Sequence, residues 1–137
     1  ENSLNMKVPI SWHGGIDTIK LEDKECIDLK LHGTAILVDA ARIYSLAHGI
    51  GDTNTRDRLI AVGLALNIPE REYLAWVSAF EFLQMLRLSV QIDSHAIGGN
   101  FNALELSSLN NIDRRILKES LRATRDLQQR IELDYGR

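Results

Sequence analysis

Hydrophobic residues recur along this chain with two different periods. Near the N-terminus they alternate with other residues. Val8, Ile10 and Trp12 come first, Ile19 and Leu21 follow an HGG turn, and Ile27, Leu29 and Leu31 interleave with Asp28, Lys30 and His32. Alternation marks a strand with one covered face, so the spacing predicts two or three short strands within residues 1–32. A ribbon that small has too little core to stand alone and must lie on helices or on a neighbouring domain.

From Gly33 the period becomes helical. The first helix is expected from Thr34 to His48, stopped by HGIGD, where glycine can take a left-handed cap. The segment DTNTRDRL offers Asp, Thr and Asn caps for a second helix reaching Leu66. Pro69 suits a first turn, and Glu70 and Glu72 favour the positive end of the helix dipole, so a third helix runs to Ile92. DSHAIGGNFN reads as a loop, and Ser107 or Ser108 as the cap of a fourth helix to Leu133. Its expected apolar stripe is Leu109, Ile112, Ile116, Leu117, Leu121, Leu127 and Ile131. Four helices with short connections imply an antiparallel bundle. The expected fold is therefore all-α, with a short N-terminal extended or β segment: one domain over 1–137, ribbon 1–32 and bundle 33–137.

One stretch breaks the pattern. FEFLQMLRLSVQ (80–91) is apolar on most sides, yet Gln84, Arg87 and Gln91 share one narrow stripe of the helix. Arg87 has no carboxylate three or four positions away on its own helix. A buried guanidinium needs a partner, so one is expected from elsewhere, with Asp28 the first choice and Asp39 and Asp113 the others. A buried carboxylate partner would make Arg87→Leu cost about 3–5 kcal/mol.

Composition narrows the function. The 137 residues suffice for one core, and a net charge of −3 lacks the basic excess of a dedicated nucleic-acid binder. A single cysteine, Cys26, rules out an intramolecular disulfide and a cysteine zinc site. No apolar run is long enough to span a bilayer, and the polar start ENSLNMKVP lacks a signal-peptide core. A cytoplasmic protein is expected, one excised from a longer polypeptide because the chain does not begin with Met.

Catalytic signatures are missing. A nucleotidyltransferase needs a Gly-Ser turn for phosphates and closely spaced carboxylates for a divalent metal; HGGIDTIKLED has neither arrangement. A phosphate-binding Gly-x-x-x-x-Gly-Lys loop is absent. His13, His32, His48 and His95 lie on separate elements without metal spacing. No catalytic residue, metal ligand or cofactor is expected in this chain. Arg42 and His48 in RIYSLAH do match the Arg-x4-6-His spacing of HEPN-class helical ribonucleases, although Ile43 stands where that class usually has a polar residue. The alternative for Arg42 is a pair with Asp39, three residues back on the same face.

An ordered set of motifs resembles the nucleotidyltransferase substrate-binding domain family, the C-terminal part of bacterial signalling proteins that also carry CBS and nucleotidyltransferase domains. Asp28-Leu29-Lys30, Gly33, Ala41-Arg42, Gly49-Ile50, Thr53 and Thr55, and Arg58-Leu59 match its first half. AFEFLQMLRLSVQ, GGNFNALELSSLNNIDRRILKESL and LQQRI match the rest, without the proline usual between the loop glycine and asparagine. The similarity covers roughly residues 25 to 133.

This resemblance implies a noncatalytic helical module attached to a PII-uridylyltransferase-like nucleotidyltransferase. Nucleoside triphosphate and Mg would be needed only by the catalytic domain. The implied partners are the nucleotidyltransferase and CBS domains of the same polypeptide and a protein or small-molecule acceptor, with no nucleic acid and no membrane; a homodimer is left open. The candidate substrate-binding residues are Asp28, Lys30, Arg42, Arg58, Arg87, Gln91 and Asn102, a polar seam able to hold an anionic or amide-bearing group. The competing readings are a HEPN-like ribonuclease using Arg42 and His48, and a purely structural or dimerising bundle.

Overall fold

The computed structural model describes residue 8, residues 15–92 and residues 98–136. Of the expected strand over residues 8–12, only Val8 lies within the described residues, and it is buried. Two short strands are present beyond it. β1 (Ile19–Leu21) and β2 (Lys24–Asp28) pair antiparallel, with Leu21 opposite Lys24. The two residues between them, Glu22 and Asp23, both have positive φ (53° and 64°), as a type I′ hairpin turn requires. The charged EDKE segment is thus the turn and the first half of β2, not a break between strands.

The alternation expected through Leu31 stops at Asp28. The Asp28 carboxylate accepts hydrogen bonds from the backbone N–H groups of Lys30 (3.0 Å) and Leu31 (2.8 Å), which turns the chain out of the extended conformation. Residues Lys30–Thr34 then form one turn of π-helix, in which the Thr34 N–H donates to the Leu29 carbonyl at 3.0 Å. Leu31 is exposed as a result. The π turn runs directly into α1 (Ala35–Ala47), which ends at Gly49 with φ 66°.

α2 (Thr55–Ala65) is capped by Asn54, whose side chain accepts from the Asp57 N–H at 2.8 Å. α3 (Glu70–Ile92) begins after Pro69 as expected. Two features beyond it differ from the sequence reading. Ala103–Glu105 is a third strand, β3, antiparallel to β2 with Ile27 opposite Leu104, giving the sheet order β1-β2-β3. α4 (Asn111–Tyr135) is capped by Asn110, which accepts from the Asp113 N–H at 2.7 Å. The two serines expected there lie in a 3₁₀ turn, Leu106–Ser108, and donate their hydroxyls to Glu105 instead.

The described residues thus form a four-helix bundle carrying a short three-stranded sheet. The core is continuous. Leu37 and Tyr44 of α1, Leu59 of α2, Leu83 of α3 and Leu117, Leu121 and Leu127 of α4 are fully buried, and Ile27 and Leu29 carry the ribbon into the same cluster. α3 is not sheathed all round: Leu88 is 57% and Met85 53% exposed. Ile112 and Ile116, expected in the core stripe of α4, also face outward, because the inward positions belong to Leu117, Ser120, Thr124 and Gln128.

Candidate functional site

The polar stripe of α3 faces the π turn and the segment that leads into β3. Gly98 and Gly99 turn with positive φ (60° and 78°) and deliver Asn100 and Asn102 against β2 and α3. Asn100 donates its side-chain N–H to the Asp28 carboxylate and accepts the Asn102 backbone N–H at 2.8 Å. The Asn102 carbonyl accepts the Leu29 N–H at 2.9 Å. Its side-chain Oδ1 accepts from Arg87 Nε at 3.0 Å and from Gln91 Nε2 at 3.3 Å.

Arg87 therefore has partners, but not the carboxylate expected. Besides Asn102, its Nη1 donates to Gln84 Oε1 at 2.9 Å and, more weakly, to Thr34 Oγ1 at 3.4 Å. Asp28, the first choice, is buried and already satisfied by two backbone N–H groups and Asn100. A carboxylate with three donors needs no cation. A guanidinium carries five N–H donors, and among the described residues Nη2 of Arg87 has no hydrogen-bond partner.

Beside Arg87 lies a shallow hollow of about 180 Å³, lined by Lys30, Thr34, Ala35, Val38, Asp39 and Gln84. Lys30 and Thr34 reach it from the π turn, which places them together. The carboxylate in the hollow, Asp39, is paired with Arg42 at 3.5 Å. The hollow is thus edged by two cations, Lys30 and Arg87, while its acid is already engaged by a third.

Five of the seven sequence candidates meet here. Lys30 and Arg87 line the hollow, Asn102 and Gln91 hold Arg87 from behind, and Asp28 braces the loop through Asn100. Arg42 touches the region through Asp39. Arg58 belongs elsewhere: it donates Nε to the Asp52 carbonyl at 2.8 Å and closes the loop before α2. Thr34 and Asn100 were missed. For Asn100 the signal was GGNFN, since paired glycines before two asparagines announce a turn that presents amides to a neighbour; Thr34 had none.

The Arg42 and His48 spacing does not form a site. Six residues turn a helix by about 600°, leaving the two side chains roughly 120° apart. Arg42 pairs with Asp39, as the alternative reading had it, and the His48 ring lies 3.5 Å from the Tyr135 hydroxyl. At that end of the bundle the buried Tyr44 donates its hydroxyl to Asp134 at 2.6 Å. Burial and then the bond to Asp134 raise its pKa above the ordinary tyrosine value. Burial likewise pushes the Cys26 thiol up, which suits an inert core thiol.

No helix among the described residues is long and apolar enough to cross a membrane. The family model described as "Putative nucleotidyltransferase substrate binding domain" matches residues 1–135. The chain belongs to that family. No curated protein and no solved structure was found to match it.

Proposed function

We propose that this chain is the noncatalytic acceptor-holding module of a PII-uridylyltransferase-like signalling protein, working in the cytoplasm beside nucleotidyltransferase and CBS domains. The triphosphate and Mg would be handled by the catalytic domain. This module would hold an anionic group of the acceptor in the hollow between the π turn and α3. Arg87 offers its free Nη2 edge, Lys30 supplies a second positive charge, and Asn102 and Gln84 fix the guanidinium plane. A preoriented guanidinium loses little freedom when it engages an oxyanion.

The observation that carries this reading is the Arg87 environment. All three of its partners are neutral amide or hydroxyl oxygens, so its charge is positioned without being neutralised. The test is a ¹⁵N-resolved NMR titration of this chain with inorganic phosphate and with UTP. Shifts should concentrate at residues 30–34, 84–87 and 102, and Arg87→Gln, which keeps a polar side chain, should abolish them. Shifts elsewhere, or shifts unchanged in the variant, would overturn the proposal.

A further inference from the structure

The outer face of α3 and α4 lies away from that hollow. A groove of about 380 Å³ runs between the two helices over a floor of small residues, Ala75, Ala79, Ser120 and Ala123, with Ile116 on its edge. Ile112, one turn further along α4, is 72% exposed. Beside the groove, Arg115, Glu119, Arg122 and Asp126 succeed one another at intervals of three or four, which places them in one stripe along the helix.

We propose that a second copy of this chain docks on this face, α4 against α4, antiparallel about a two-fold axis passing between Ser120 and Leu121. The order of charges selects both the occupant and its direction. Arg115 and Asp126 are equidistant from that axis along the helix, and so are Glu119 and Arg122. The two-fold operation sets Arg115 of each copy against Asp126 of the other, and Glu119 against Arg122, each contact occurring twice. Parallel pairing would set every one of these charges against its own kind.

Within one chain Glu119 and Arg122 already meet at 2.7 Å, so in the dimer they join a four-charge cluster at the axis. Among the described residues Arg115 and Asp126 make no ion pair, which leaves both available to the partner. Exposed pairs add little affinity individually. Association draws on covering Ile112, Ile116 and the groove floor, while the charges set register and direction. The small side chains of the floor allow the partner helix to approach closely.

Sedimentation velocity on this chain, over a wide concentration range in low salt, should show a species of twice 15.5 kDa in exchange with monomer. Arg115→Asp should weaken the dimer by about ten-fold or more, since it places two carboxylates together twice. The double variant Arg115→Asp with Asp126→Arg should restore it. Positions 115 and 126 are three turns apart and cannot pair within one helix, so rescue has to come across the interface. Both sites are exposed, and thermal melts of the variants should match the parent. A chain that stays monomeric throughout, a dimer indifferent to Arg115→Asp, or a double variant as weak as the single one would each overturn the proposal.

Discussion

Arg87 Nε meets Asn102 Oδ1 at 3.0 Å although the two residues are 15 positions apart in sequence. The contact joins α3 to the turn before β3 and involves a single charge. A bond of this kind, to a half-buried cation, carries different consequences from the buried ion pair that the sequence suggested.

Arg87→Leu should therefore cost about 1–2 kcal/mol, not the 3–5 of a broken buried pair. No buried carboxylate is stranded, and Asn102 keeps its bond from Gln91. Urea unfolding of the two proteins measures this directly. A loss above about 3 kcal/mol would mean that the guanidinium has a charged partner in the folded protein.

Tyr44 gives a pH dependence with a definite sign. Its pKa is raised in the folded state, so the proton is held more tightly there than in the unfolded chain. The resulting stability is fully present below the ordinary tyrosine pKa of 10.0 and is lost as pH climbs above it. Ultraviolet titration should show one tyrosine that ionises only as the protein unfolds, and Tyr44→Phe should remove that late step. Because Asp134 is exposed and recovers water, the substitution itself should cost only about 1 kcal/mol at neutral pH.

Gly63 of α2 packs directly against Tyr73 of α3. A Cβ at that position would run into the ring and Cβ of Tyr73. Gly63→Ala should destabilise by about 1–3 kcal/mol through overpacking. Gly51 has nothing nearby among the described residues and no positive φ, so Gly51→Ala should be neutral or stabilise by up to about 1 kcal/mol. Paired thermal melts distinguish a packing constraint from a general dislike of alanine.

Amide hydrogen exchange should be faster in β1 and β2 than in the middle of α3. Among the described residues the sheet has three short strands and β1 is largely exposed, whereas α3 packs against both α2 and α4. Small peripheral elements open locally without unfolding the rest. Equal protection of residues 19–28 and 76–86 would show that the ribbon and bundle open as one unit.

The helices were legible because their punctuation is local. Asn54, Pro69 and Gly49 announce ends that depend on neighbours within one turn. The Arg87 stripe was legible as an anomaly, since three polar residues on an apolar helix must face something. What it faces was not, because Asn102 reaches it through a pairing of β3 with β2 that no local pattern specifies. β3 is three residues long and too short to show a period. The end of β2 was misread because Asp28 turns the chain with its side chain, an effect invisible to counting alternate hydrophobics. Ile112 and Ile116 looked like core for the opposite reason: their spacing is right for a buried stripe, but that side of α4 is exposed.

The place of β3 in the sheet bears on the order in which the chain folds. β1 and β2 are joined by a two-residue turn and can pair at once, whereas β3 reaches β2 only after some 75 intervening residues have been arranged. The entropic cost of closing that long loop falls once α1 through α3 are docked. The same closure brings Asn102 to Arg87 and Leu29. The complete bracing of Arg87 would thus come late in assembly, and a chain caught partway, with helices formed but sheet incomplete, would hold Arg87 through Gln84 and Thr34 without Asn102. The proposed capacity to hold an anion would then be a readout of complete folding.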